Sequence, residues 1–235
     1  MSLRRFALLA ATALLAAAAH ADTIEDALKA KILTRTGMAV DAVHPTPIEG
    51  LYEAVMGRRL FYVDKTGDYL IIGRIFNAAT QEDLTTPRIE DLNRIDWKTL
   101  PLEDAVRVTY GKGERRLVVF TDANCSFCSM LERNLREVGN VTVYNFIYPI
   151  LNSEETARRI LCAKDPARAW QDHMLKGTVP PPAPASCDSS VLERNLALGQ
   201  KFGLNATPAI LFEDGLFNQG AMTPEALRER LARSR

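Results

Sequence analysis

VVFTDANCSFCSMLE, residues 118–132, is the stretch that decides the fold. A β-branched and aromatic run ends at Phe120, a short polar turn follows, and Cys125 and Cys128 then open a segment of helix-forming composition. This order predicts a strand, a turn and a helix, with the first sulfur at the N-terminus of the helix. Unpaired backbone N–H groups and the helix dipole favour an anion there, and a thiolate is the anion that suits the position.

The C-x-x-C spacing predicts a redox-active pair. Two intervening residues bring both sulfurs to the same helix end, close enough to form a disulfide with each other. Cys125, at or before the first turn, is expected to be the exposed attacking thiol, and Cys128 the more buried resolving thiol. The alternatives to a redox-active pair are a structural disulfide and half of a zinc site. Zinc needs two more ligands, and the remaining cysteines, Cys162 and Cys187, form no second C-x-x-C.

The composition is that of a globular chain with balanced charge. Of 235 residues 47% are hydrophobic, and 29 lysines and arginines match 29 aspartates and glutamates. The length predicts one or two domains. The charge balance indicates neither a nucleic-acid partner nor an anionic membrane surface, and no cofactor or metal is predicted.

Residues 1–21 have the pattern of a secretory signal peptide. Arg4 and Arg5 form the positive end, Phe6–Ala18 is an apolar run too short to span a bilayer comfortably, and Ala19–Ala21 fits a small-x-small cleavage site. An uncleaved membrane anchor is the alternative. Export to an oxidising compartment agrees with the four cysteines that remain after cleavage, because disulfides persist there.

Residues 22–85 are expected to form a small N-terminal domain. One helix is followed by an extended segment and by three strand candidates, Leu51–Met56, Leu60–Val63 and Tyr69–Phe76. A core of this size is thin, and such a unit is often stabilised by pairing with a copy of itself. Gly73 lies inside the third candidate, where a glycine marks either the close approach of another backbone, here a dimer edge, or an ordinary bulge.

Residues 86–112 are expected to be a linker with a helix at Leu100–Val108, unless that helix packs into the second domain, which covers residues 113–235. In the second domain the strand before the cysteines, the helix after them and a strand at Val141–Tyr148 form a βαβ unit with a parallel strand pair. Further helices and a loop with four prolines precede the strand Ala209–Glu213 and a final helix. Thr207–Pro208 stands before that strand, where a proline can be cis. The combination is typical of a thioredoxin-like fold.

The chain resembles the periplasmic disulfide bond isomerases of the DsbC and DsbG type. The resemblance rests on the segment FTD before CSFC and on further motifs at Cys162–Asp165, Pro184–Asp188, Ala197–Gly199 and Ala206–Ala209. It extends weakly across residues 24–80 and therefore covers nearly the whole mature chain.

The resemblance implies an α+β architecture and a homodimer. Each chain would carry a cystatin-like N-terminal dimerisation domain, a linker helix and a thioredoxin-like domain with a helical insertion. The implied function is a thiol–disulfide isomerase that reshuffles wrong disulfides of misfolded exported proteins in the periplasm and has holdase chaperone activity.

The resemblance also implies roles for particular residues. Thr207 and a cis Pro208 would bind the substrate strand beside Cys125, and Cys162 and Cys187 would form a structural disulfide. A membrane thiol reductase of the DsbD type would keep the C-x-x-C pair reduced.

Two residues of the site are informative in themselves. The dipeptide Ser126–Phe127 departs from the Gly-Tyr usual in the family's isomerases, and its lack of charge favours an intermediate redox potential. The charge of Asp122 would oppose thiolate formation nearby, so a turn-capping role is expected. Two other functions remain: a more restricted DsbG-like reductase that protects single cysteines, or a non-enzymatic chaperone or copper-binding protein.

Overall fold

The structure is a computed structural model that describes residues 24–234. These residues form two compact units, which divide between Asn93 and Arg94. The predicted signal peptide, residues 1–21, lies outside the described residues. Among the residues that are described, no helix has both the length and the apolar character needed to cross a bilayer. Residues 86–112, the predicted linker, contribute to both units.

The first unit packs one helix on an antiparallel sheet. Helix α1 covers residues 24–36, and the sheet order is β1-β2-β3-β4. The strands are β1 (Ala42–Pro45), β2 (Leu51–Met56), β3 (Arg59–Asp64) and β4 (Leu70–Ile71). A hairpin of β5 (Phe76–Asn77) and β6 (Glu82–Asp83) and helix α2 (Thr86–Asn93) follow. The strand predictions at Leu51–Met56 and Leu60–Val63 are confirmed.

The two faces of this sheet bury different side chains. Leu28 and Ile32 of α1, four residues apart on one helix face, pack on a sheet face that includes Ala54 and Phe61. The neighbouring pair on β2 and β3, Glu53 and Tyr62, points to the other face because side chains alternate along a strand. On that face the carboxylate of Glu53 accepts a hydrogen bond from the guanidinium of Arg88, on α2, at 2.8 Å. The unit is therefore closed on both faces by helices.

The predicted single strand Tyr69–Phe76 is wrong. Pairing with β3 ends at Ile71, and Gly73 lies in an exposed bend. The backbone beyond the bend has other partners, because the N–H of Ile75 donates to the Thr85 hydroxyl at 2.9 Å and its carbonyl accepts from Leu84. The chain therefore leaves the sheet to form the β5–β6 hairpin.

The second unit, residues 94–234, is built on a five-stranded sheet. Two 3-10 turns, Trp97–Thr99 and Leu102–Asp104, open it. The remaining elements are β7 (Val106–Tyr110), β8 (Arg115–Thr121), α3 (Ser126–Val138), β9 (Val141–Ile147), α4 (Glu154–Leu161), α5 (Pro166–Lys176), α6 (Ser190–Lys201), β10 (Ala209–Phe212), β11 (Phe217–Gln219) and α7 (Pro224–Arg233). The strand order is β11-β10-β8-β9-β7, and β8 and β9 are parallel. The predicted βαβ unit is confirmed.

The predicted helix Leu100–Val108 is wrong. Only the 3-10 turn Leu102–Asp104 forms there, and the chain continues as strand β7 against β9. Along Val106–Tyr110 every second residue is buried and the residues between are exposed. This period of two outweighs the helix-start signal of Pro101 and its acidic neighbours.

The central strand β8 is buried on both faces. Val119 joins the apolar cluster that contains Leu131 and Leu135 of α3, whereas Val118 and Phe120 join the cluster on the opposite face. Strands β9 and β10 hydrogen-bond to the two edges of β8. The turn that carries the cysteines therefore leaves the carboxyl end of the most enclosed strand of the domain.

Candidate active site around Cys125 and Cys128

Cys125 is the N-cap residue of α3, and its sulfur accepts a hydrogen bond from the backbone N–H of Cys128 at 3.3 Å. The thiol of Cys125 donates to the carbonyl oxygen of Thr207 at 3.4 Å. Both cysteines are free thiols. The helix thus begins at the sulfur of Cys125, where its unpaired N–H groups favour negative charge on that atom.

The expected exposure of Cys125 is wrong, although the expected order of burial holds. Cys125 is 5% exposed and Cys128 is 2% exposed. The segment Thr207–Pro208 reaches the sulfur of Cys125 from another part of the chain, which the spacing of the two cysteines could not reveal. The contact with Thr207 therefore contributes to the burial of Cys125.

Cys128 lies in a different electrostatic environment. Burial, and secondarily the neighbouring Cys125, raises the pKa of the Cys128 thiol to about 12. Removal of this thiol from water disfavours its charged form, since the interior solvates a thiolate poorly. At neutral pH Cys128 is therefore held as a neutral thiol under the surface.

The peptide bond between Thr207 and Pro208 is cis. It stands directly before β10, whose first residue, Ala209, pairs with Phe120 near the end of β8. The carbonyl of Pro208 also accepts from the N–H of Gly220 at 2.8 Å. These contacts place the Thr207 carbonyl against the sulfur of Cys125.

Asp122 has the capping role expected from the sequence. Its fully buried carboxylate accepts hydrogen bonds from the N–H groups of Asn124 at 2.7 Å, Ile150 at 2.8 Å and Leu151 at 2.9 Å. One side chain therefore joins the cysteine turn to the segment that follows β9. All three hydrogen bonds of this carboxylate are to backbone N–H groups, and none is to the sulfur of Cys125.

His173 of α5 is a site residue that sequence reasoning missed. Its Nε2 lies 2.9 Å from the carbonyl oxygen of Ala123, two residues before Cys125, and its Nδ1 lies 3.0 Å from the carbonyl oxygen of Thr178. No motif surrounds His173. Its distance of 50 residues from Ala123 leaves no local signal that could have identified it.

Large apolar side chains surround the cysteine turn and remain exposed. Phe127 and Met130, on the first turns of α3, are 61% and 37% exposed. Leu151 is 46% exposed, and its carbonyl accepts from the Asn124 side chain at 3.1 Å. Val179 is 74% exposed and follows Thr178, the residue whose carbonyl oxygen lies next to the His173 ring. These four exposed side chains near the cysteine turn, Phe127, Met130, Leu151 and Val179, are here called the apolar rim.

The other two cysteines are joined. Cys162 caps the C-terminus of α4 and forms a disulfide with Cys187, with a Cα–Cα distance of 6.0 Å. The bond closes the loop that contains the prolines and helix α5. Within residues 24–234, no group of three or more histidine, cysteine, aspartate or glutamate side chains is arranged to hold a metal ion.

Family models match the chain in two parts. Residues 15–86 match the disulfide bond isomerase protein N-terminal domain, and residues 102–234 match a thioredoxin-like domain. The probable thiol:disulfide interchange protein DsbC of Bordetella avium (strain 197N) is 38% identical over 216 residues, which cover 91% of this chain and 76% of that protein. The chain belongs to the DsbC family of thioredoxin-like disulfide isomerases.

More distant members of the DsbC family agree with this assignment. The thiol:disulfide interchange protein DsbC of Escherichia coli (strain K12) is 26% identical over 226 residues, 93% of this chain and 92% of that protein. The crystal structure of a disulfide interchange protein from Neisseria gonorrhoeae has a TM-score of 0.52 and 31% identity, and the match covers 57% of this chain and 98% of that chain. The α+β class and the thioredoxin-like domain are confirmed, and the protein is a thiol–disulfide oxidoreductase. The non-enzymatic alternative is therefore wrong.

Proposed function

We propose that Cys125 is the attacking thiol of this disulfide isomerase and that Cys128 is its resolving thiol. The observation that carries the proposal is the asymmetry of the pair. The sulfur of Cys125 accepts the Cys128 N–H at the start of α3, whereas burial raises the pKa of Cys128 to about 12. Only the thiolate attacks a disulfide, and the helix N-terminus favours it at Cys125.

The exchange conserves atoms and electrons. The Cys125 thiolate attacks one sulfur of a wrong substrate disulfide, forms a mixed disulfide and releases the other substrate sulfur as a thiolate. A second substrate thiolate then attacks the mixed disulfide, forms a new substrate disulfide and returns Cys125 as a thiolate. The number of substrate disulfides is unchanged, so this route is an isomerisation and needs no external oxidant or reductant.

Cys128 provides an escape route from a mixed disulfide that persists. After losing its proton, it attacks the sulfur of Cys125, releases the reduced substrate and leaves a disulfide between the two active-site cysteines. Two electrons have then passed to the substrate, and a dithiol reductant must restore the pair. A membrane thiol reductase of the DsbD type is the proposed partner for this step.

Thr207 and Pro208 are the proposed substrate-binding residues. Thr207 is half-buried, and its carbonyl already accepts the hydrogen of the Cys125 thiol. An extended substrate segment that paired with the backbone of Thr207 would bring its disulfide to this sulfur. Pro208 has no N–H of its own, so the contact depends on the backbone of Thr207.

Holdase activity toward misfolded exported proteins is proposed from the apolar rim around Cys125. Exposed apolar side chains in one area bind the apolar segments that unfolded proteins expose. The proposed compartment is the periplasm, where non-native disulfides occur.

A homodimer formed through the first unit is also proposed, with Gly73 at the dimer edge. Strand β4 is an edge strand of its sheet, and large apolar side chains around it are exposed. Tyr69 is 71%, Ile71 48%, Ile72 91% and Phe76 57% exposed. An edge strand with apolar neighbours is a natural place for a second strand to pair. A Cβ atom at Gly73 would meet open space, so the bend itself leaves room for another backbone.

The test of the proposed function is the reactivation of scrambled ribonuclease, with wild type, Cys125→Ala and Cys128→Ala measured side by side. Cys125→Ala is expected to abolish reactivation. Cys128→Ala is expected to retain part of it and to accumulate a mixed disulfide between Cys125 and ribonuclease. Reactivation that persists in Cys125→Ala would remove this residue from its role. A wild type that reduces insulin but does not reactivate ribonuclease would favour the reductase.

A further inference from the structure

The ring of His173 lies between two backbone carbonyl oxygens. Its Nε2 is 2.9 Å from the oxygen of Ala123 in the cysteine turn, and its Nδ1 is 3.0 Å from the oxygen of Thr178. Both distances are those of good N–H···O hydrogen bonds. A carbonyl oxygen only accepts, so each bond needs a hydrogen on the ring nitrogen.

Only the imidazolium form supplies both hydrogens. A neutral imidazole carries a hydrogen on one nitrogen and a lone pair on the other. In this position the neutral ring would direct that lone pair at a carbonyl oxygen and lose one of the two bonds. The geometry therefore selects the doubly protonated, positively charged ring.

We propose that His173 is a cationic positioning residue that holds the cysteine turn and favours the thiolate of Cys125. The proposal rests on the proposed role of Cys125 as the attacking thiol. The bond to Ala123 fixes the turn two residues before that sulfur, and a positive charge nearby stabilises a thiolate. The bond to Thr178 fixes the same ring to the loop that ends at the Cys162–Cys187 disulfide.

The packing of α5 places His173 beside the active-site helix. Ser129, the residue after Cys128, donates to the sulfur of Met174 at 3.9 Å, and Met174 is the neighbour of His173 on α5. His173 is half-buried, so its charge is screened less than that of a fully exposed side chain.

The charged groups on the surrounding elements are engaged with other partners. Asp122 of the turn binds three backbone N–H groups, and residues 178–186 include no titratable side chain. On α5, Asp172 pairs with Lys176 and Arg168. Glu132 of α3 binds the hydroxyl of Tyr110 on β7, and Glu155 of α4 pairs with Arg159.

A direct test is the NMR spectrum of the full protein labelled with ¹⁵N in its histidine rings. His44, an exposed histidine of the first unit, is the internal comparison. At about pH 7.5, the two hydrogen bonds of His173 require a proton on each of its ring nitrogens, and the ¹⁵N shifts of both nitrogens, compared with those of His44, report whether each carries one. A His173 ring with one proton at this pH overturns the proposal.

The second test measures the rate at which iodoacetamide alkylates Cys125 in the reduced protein, as a function of pH. His173→Gln removes the charge and is expected to slow alkylation about fivefold near neutral pH, the size of a charge effect in a partly screened site. His173→Arg keeps a charge and donors for both carbonyls, and is expected to keep the rate. His44→Gln is the matched control and is expected to match wild type.

The shape of the pH profile separates a charge effect from a structural one. His173→Arg, which keeps the positive charge, is expected to follow the wild-type profile, and His173→Gln is expected to lie below it across the neutral range. A His173→Gln profile that coincides with the wild-type profile overturns the proposal. Ribonuclease reactivation that persists in Cys125→Ala would instead contradict the proposed function and leave the NMR result on His173 intact.

Discussion

The carboxylate of Glu132 accepts a hydrogen bond from the hydroxyl of Tyr110 inside the catalytic domain. Glu132 is 2% exposed and stands one helical turn after Cys128 on α3. The Tyr110 hydroxyl and the indole of Trp170 offset only part of the desolvation cost of this carboxylate. Burial accordingly raises the pKa of Glu132 above its ordinary range.

Glu132→Gln is expected to remove a pH-dependent loss of stability. An acid whose pKa is raised by folding adds to the stability of the folded state. This added stability is fully present below the unfolded pKa of about 4.3 and is lost as the pH rises through the folded pKa. The free energy of unfolding of wild type should therefore fall relative to that of Glu132→Gln as the pH rises above about 4.3. Urea unfolding at several pH values measures this. Glu137→Gln, at an exposed position of the same helix, is the control, and curves for Glu132→Gln and wild type that stay parallel contradict the expectation.

The two active-site thiols are expected to react at very different rates. Because burial raises the pKa of Cys128 to about 12, few of these thiols are ionised in the folded protein. Iodoacetamide at about pH 8, near the ordinary thiol range, should modify Cys125 and spare Cys128, as peptide mass spectrometry would show. In urea both should react. Equal rates for the two cysteines in the folded protein would contradict the effect of burial on the pKa of Cys128.

Removal of the structural disulfide is expected to lower stability without changing the chemistry of the site. Cys162 and Cys187 are separated by 25 residues, and loop-closure entropy gives a loss of about 3.5 kcal/mol in the double variant Cys162→Ala/Cys187→Ala. Urea unfolding of this variant and wild type gives the difference. The alkylation rate of Cys125 serves as the control and should be unchanged. An unfolding free energy equal to that of wild type would show that the bond contributes nothing.

Gly73→Arg is expected to yield a monomer in sedimentation velocity. The position is exposed and a Cβ atom there meets no neighbour, so the isolated chain can accommodate the arginine. A partner strand at the adjacent edge would meet a long charged side chain. Thr34→Arg, which adds the same charge at an exposed position of α1, is the control and should stay dimeric. A dimer in both variants would remove Gly73 from the interface.

Local sequence signals predicted the parts of the fold that local interactions determine. The order of apolar, polar and helix-forming residues predicted the strand before the cysteines, the cysteine turn, helix α3 and the parallel pairing of β8 and β9. The capping role of Asp122 was predicted because its charge would oppose thiolate formation at the nearby Cys125.

The failed predictions have tertiary causes. Leu100–Val108 had the start signal of a helix, but β9 offered pairing partners for Val106–Tyr110. Ile72 and Gly73 left the predicted strand because the next backbone groups bind Leu84 and Thr85. The burial of Cys125 depends on Thr207, which is 82 residues away in the chain. Contacts at such separations have no periodic signature in the sequence.

The central position of β8 has a consequence for the dynamics of the site. Strand β8 is hydrogen-bonded on both edges and covered on both faces, so its amide hydrogens open to solvent only in the largest unfolding events. In hydrogen–deuterium exchange, residues 117–121 are expected to be among the slowest in the domain, a few positions from the sulfur that must meet substrates. In the proposed isomerase, adjustment to differently shaped clients would then fall to segments outside this strand, such as those around residues 151 and 179.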